Sequence, residues 1–135
     1  MREIKFRIWD KDYKKMRRCG ENTHDSIYFD EDGTALYYNL QNGCGSLPDG
    51  TGTYDLMQYT GLKDKNGKEI YEGDIVKGKS YSLATPSRLI GKVQYNYNGF
   101  HVYGIRRYKG MFETLGTAFE VIGNIYENPH LLNQE

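Results

Sequence analysis

The 135-residue chain carries 18 basic and 18 acidic side chains, a formal net charge of zero and a pI near 6.8, so no global field draws it to nucleic acid or to an anionic membrane. Mean hydropathy is low at −0.77, yet aromatics make up 14% of the residues, with 13 tyrosines among them. That composition excludes a disordered chain and predicts a tyrosine-rich core whose hydroxyls need partners.

Taken in chain order, residues 3–10 alternate, with Ile4, Phe6 and Ile8 on one face and Lys5, Arg7 and Trp9 on the other, which predicts an N-terminal strand sharing the main core. A charged stretch over 11–25 follows, then a hairpin of 26–29 and 34–38 around Asp30-Glu31-Asp32-Gly33. The segment QNGCGSLPDGTGT, 41–53, has the composition of an exposed loop. Next come a short strand at 56–60 and Asn66-Gly67, the dipeptide of a type I′ turn, which predicts a solvated hairpin tip at 64–68. Gly73 re-aims the backbone after it, Asp74 is placed to accept backbone N–H bonds of the corner, and Ile75-Val76 begins a buried strand.

Glycine, serine and proline over 77–90 predict an irregular excursion. Alternation returns at 91–97 and 100–105 around a second type I′ candidate, Asn98-Gly99. No element is predicted for 106–117; 118–126 is strand-like, and Asn128-Pro129 is expected to cap a closing helical turn over 129–133. Short β segments with glycine turns and almost no helical periodicity predict an all-β fold, a barrel or sandwich with long loops. The expected organisation is a single domain, with 1–54 as an N-terminal strand, hairpin and loop region and 55–135 as the barrel core. No run of about 18 apolar residues and no apolar leader are present, so a cytoplasmic protein with reduced cysteines is expected.

Three blocks, REIKFRIWD, LMQYTGLKDKNGKEIYEGDIV and FEVIGNIYENPHLL, resemble the signature blocks of the YopX-like family of bacteriophage and prophage proteins. The resemblance implies an SH3-like barrel core and a phage origin in a bacterial host. It implies no reaction, cofactor or catalytic residue.

No residue set has the pattern of a chemical site. Cys19, His24 and Cys44, with His101 or His130, lack the paired C-x-x-C knuckle of a zinc site. Glu69, Glu72 and Asp74 read as a turn edge, not a cation site or an acid–base pair. The glycine-rich 41–53 segment lacks the lysine of a phosphate loop. The expectation is therefore a binding module without enzyme activity, metal or cofactor. Self-association through tyrosine-rich sheet edges is expected, with a host or phage protein as a further partner. The alternative is contact with single-stranded DNA or RNA through Tyr95, Tyr97, Tyr103, Arg106, Arg107 and Lys109, where aromatic rings stand beside cations. Lys14, Lys15, Arg17 and Arg18 form a second basic cluster.

Overall fold

The N-terminal alternation forms strand β1 (Phe6–Asp10) in the computed structural model, which describes residues 4–20, 24–81, 85–96 and 99–133. The chain divides into two units, Ile4–Gln58 and Tyr59 onward. Strands dominate both, so the fold is all-β as expected.

The first unit holds β1, β2 (Lys15–Arg18), β3 (Asp25–Phe29), β4 (Ala35–Asn39), β5 (Cys44–Gly45) and the first half of β6 (Tyr54–Lys63). Strand β1 lies between β2 and β6, with Ile8 opposite both Arg17 and Leu56. The sequence concealed β2 because only Met16 among its four residues is apolar. It forms because the buried Asp10 carboxylate accepts the N–H groups of Asp12 (3.0 Å) and Tyr13 (3.1 Å), reversing the chain through Lys14 at φ +53°. The expected faces of β1 also shift: Ile4 is exposed, while Arg7 is buried and its Nε donates to the Met57 sulfur at 3.5 Å.

Strands β3 and β4 make the expected hairpin, closed by Asp30, whose carboxylate accepts N–H bonds from Asp32 and Thr34 at 2.9 Å each. The 41–53 segment is more ordered than its composition suggests. Its Cys44 pairs with Asn39 in β5, and Ser46 is buried with its hydroxyl accepting the Tyr37 N–H at 2.8 Å. Ile8, Tyr37 and Tyr54 form a cluster of their own, so the first strand does not share the core of the C-terminal half as expected.

The second unit contains the end of β6, β7 (Glu69–Tyr71), β8 (Asp74–Ser80), β9 (Ser87–Asn96), β10 (Gly99–Gly104), β11 (Phe112–Thr114) and β12 (Glu120–Asn124). Strands β8 to β11 follow one another as an antiparallel meander, and β12 pairs with the outer side of β8. This five-stranded sheet curls into a half-barrel. Its concave face encloses Val76, Leu89, Val93, Val102 and Phe119, all buried, and Ile75 is buried on the other side of β8. The expected excursion over 77–90 is instead mostly strand, because β8 runs on to Ser80 and β9 starts at Ser87. Gly78, Ser80 and Ser87 have low strand propensity, and cross-strand pairing overrides it.

A single 3₁₀ turn, Arg106–Tyr108, precedes β11, and another, Pro129–Leu132, follows β12. Pro129 starts that turn, but Asn128 does not cap it. Its Oδ1 turns back to accept the Asn124 N–H at 3.2 Å. Among the described residues, no helix is long and apolar enough to cross a membrane.

Candidate functional site

The corner residues singled out in the sequence serve the backbone. Gly67 takes φ +84° and its N–H bonds the Asp64 carbonyl at 3.0 Å, so it is the fourth residue of the turn; Asn66 has no positive φ, which rules out type I′. Nor is the tip solvated throughout. Asp64 is only 6% exposed, and its carboxylate accepts N–H bonds from Asn66 (2.8 Å), Lys68 (2.9 Å) and Val121 (3.0 Å), tying the turn to β12. Burial alone would raise its pKa, but these three bonds and the nearby Lys68 charge hold it below the usual carboxylate range.

At the second corner Gly73 has φ +84°, its N–H bonds Val93 and its carbonyl accepts from Ile125, each at 2.9 Å. The buried Asp74 carboxylate accepts the Tyr71 N–H at 2.8 Å. Glu69 accepts the Tyr71 hydroxyl at 3.3 Å. Among the described residues no three His, Cys, Asp or Glu side chains converge on a point where a metal ion would sit. Cys19 and Cys44 are free thiols, and burial, reinforced by the Asp25 charge, pushes Cys19 up to about 12. A thiol so shifted stays protonated and inert.

The aromatic and basic surface expected at 95–109 is divided by the sheet. Phe100 opposes Tyr95 and Val102 opposes Val93, so Tyr95 lies on the core side of its strand; Tyr103 opposes Lys92 and Phe112 on the other side. The two tyrosines therefore make no common platform. Tyr97 and Asn98 lie outside the described residues. Gly99 opposes Asn96 as a paired strand residue, not as a turn centre. Arg106 has φ +57° and its Nε is buried with no hydrogen-bond partner among the described residues. Arg107 packs over the Tyr108 ring at 5.2 Å and donates to its hydroxyl at 3.2 Å, while Lys109 is exposed.

The sheet builds a site that the sequence reading did not assemble. Where β8 and β9 leave the half-barrel, an open groove of about 690 Å³ lies between them and residues 113–119. Its cationic lining comes from Lys65 in the Asp64 turn, Lys77 and Lys79 on β8, and Arg88 on β9. Gly78 makes the wall thin: a Cβ there would overlap the Phe119 ring, which packs directly on the strand backbone. Lys65 and Lys77 share the Glu120 carboxylate at 3.7 and 3.4 Å. Burial would raise the Glu120 pKa, but both lysines overcome this and lower it. Lys79 and Arg88 stand directly opposite each other across the strand pair and make no ion pair among the described residues. Glu113 also lines the groove, and its carboxylate accepts the Tyr81 N–H at 2.9 Å. The Tyr81 side chain stands at the groove and is 64% exposed. The arrangement is suited to an anion, because opposed like charges on a pair of strands are mutually repulsive until a counter-charge joins them. The cations were legible as residues, but the register that pairs Lys79 with Arg88 was hidden by the glycine and serines of 77–90.

Comparison with known proteins decides the family. The model of the YopX protein family matches residues 5–133. The chain belongs to the YopX family. Among solved structures it is similar to the crystal structure of protein EF1440 from Enterococcus faecalis, at 27% identity and a TM-score of 0.57, covering 98% of this chain and 100% of that one. It also resembles the X-ray structure of protein yopX from Bacillus subtilis at the level of fold, with 24% identity, a TM-score of 0.57 and the same coverage. No curated protein matches the chain.

Proposed function

We propose that this YopX-family chain is a phage- or prophage-encoded accessory protein that works by binding in the cytoplasm of its bacterial host and carries out no reaction. Its principal binding feature is the groove lined by Lys65, Lys77, Lys79 and Arg88, which takes an anionic partner. The observation that supports this reading is the pair Lys79 and Arg88, without an ion-pair partner among the described residues, beside a concavity in a chain whose charges sum to zero as a whole. A local excess of one sign in a low-dielectric groove focuses the field there even when the whole molecule is neutral. Retention on a polyanionic resin tests it. The wild-type chain is expected to elute at higher salt than Lys79→Glu and Arg88→Glu, and equal elution of all three would remove the groove from the account.

The same protein is proposed to self-associate. Strand β3 is the edge of its sheet, and it exposes Tyr28 and Phe29 together. Edges of this kind pair with a copy of themselves unless blocked. Light scattering on the purified chain is expected to give the mass of a dimer or larger; a monomer at high concentration rejects self-association and leaves the groove untouched.

A further inference from the structure

We infer that the groove is a binding site for single-stranded nucleic acid, an inference that rests on the anion-binding reading above and names its ligand. Three features separate this ligand from a generic anion. First, the cations are arranged along a line. Lys77 and Lys79 are two residues apart on β8 and point to the same side, about 7 Å from each other at the rise of a strand. Arg88 extends the row across to β9 by its register with Lys79. A repeating anion such as a sugar–phosphate backbone engages such a row, whereas a single carboxylate meets only one member of it.

Second, the groove has an aromatic surface within reach of those cations. Tyr81 follows β8 directly, and its exposed ring stands beside the groove with its backbone held by Glu113. An exposed ring next to a row of cations supplies base stacking beside phosphate neutralisation, the two terms by which small barrels hold single strands. Third, the groove is open to solvent, and the Phe119 ring that also lines it packs on Gly78, on the face of β8 opposite Lys77 and Lys79. A duplex would meet the sheet only at its phosphates; an unpaired strand offers base and phosphate together.

The experiment is fluorescence anisotropy at low salt with a labelled oligodeoxythymidine of about 15 nucleotides, near the upper limit of what a small β-barrel covers. Thymidine monophosphate and polyglutamate serve as competitors. Lys79→Glu and Arg88→Glu are each expected to weaken binding at least tenfold and to flatten its salt dependence, by about 0.7 in the logarithmic slope per lost phosphate contact. Each of these variants places opposite charges across the strand pair, so their folding is not at risk, and an undiminished melting temperature confirms it. Tyr81→Ala is expected to cost at least fivefold, the lower end of one stacking contact.

Oligonucleotide binding that survives both charge reversals overturns the inference, as does loss of binding in Lys109→Glu with the groove variants unaffected. Polyglutamate competing as well as the oligonucleotide, with both abolished by Lys79→Glu, sinks the nucleic-acid ligand and leaves the anion groove standing. Thymidine monophosphate competing at the same concentration as the strand assigns the groove to free nucleotides and rejects the strand. No binding of any of the three, together with unchanged resin retention across the variants, sinks both readings.

Discussion

The two units make their cores by different means. In Ile4–Gln58 two of the three residues at the centre are tyrosines: Tyr37 and Tyr54 meet edge to face at 4.9 Å, with hydroxyls bonded to Asp25 and Asn42. Carboxylates of Asp10 and Asp30 hold the turns around them. From Tyr59 onward the interior is aliphatic, with Ile70, Ile75, Val76, Leu89, Val93 and Val102 essentially unexposed. A chain of low mean hydropathy can thus build one core on satisfied polar groups and another on concentrated apolar burial. The first kind loses stability when a hydrogen bond is removed; the second, when volume is removed.

The largest effect is expected in the aliphatic core. Ile75 is fully buried on β8, flanked by the Lys92 strand on one side and the Gly123 strand on the other. Ile75→Ala should cost about 2–5 kcal/mol, the transfer and cavity cost of a buried isoleucine truncation. Denaturant titration measures it, with hydrogen exchange at β8 to β10 reporting the unit concerned. A loss under about 1 kcal/mol would mean that this core is loosely packed and the contrast between the units is wrong.

A smaller effect is expected in the tyrosine core, where shape is kept and a bond is lost. Tyr37 donates to Asp25 and accepts from Asn39 at 3.4 Å; burial, then the Asp25 bond, push its phenol well above the usual range. Tyr37→Phe removes only the hydroxyl. It should cost about 1–2 kcal/mol, because Asp25 and Asn39 lose a partner in a confined space. The single tryptophan, Trp9 on β1, lies in the same unit and makes its unfolding visible by fluorescence. A neutral Tyr37→Phe together with a costly Tyr37→Leu would show that the ring packs and its hydroxyl is incidental.

Legibility in the sequence followed the same divide. Strands with apolar alternation, such as β1, β10 and β9 from Gly91 on, could be read directly, as could the Asp30-Gly33 hairpin, because period 2 and turn chemistry act locally. Strands whose partners supply their stability could not. β2 is three-quarters basic, β5 is two residues in a glycine loop, and the second half of β8 is Lys-Gly-Lys-Ser. Their pairing is a property of register, which no short window contains. The groove fell into that blind region. Its cations come from three separate segments, and the aromatic-basic stretch that drew attention instead, Tyr95 to Lys109, is split by strand parity between two faces. Asp64 was passed over for Asn66-Gly67, although an aspartate opening a turn is the commoner organiser.

Asp64 supplies the mildest test, and one that depends on pH. It is a polar organiser inside the aliphatic unit, bonded to three backbone N–H groups. Asp64→Asn keeps one acceptor oxygen and should cost about 1 kcal/mol at neutral pH. The folded pKa of Asp64 lies below that of an ordinary carboxyl, so its stabilisation is complete above the unfolded value near 4 and is lost as pH falls through the lower folded value. Asparagine does not titrate. The wild-type and variant melting temperatures should therefore differ at pH 7 and converge in acid as the pH falls through the lowered folded value and the wild-type carboxylate takes up its proton. A gap that persists unchanged into acid would show that the variant is hurt by its shape and that the Asp64 charge contributes nothing, making this corner one more product of packing.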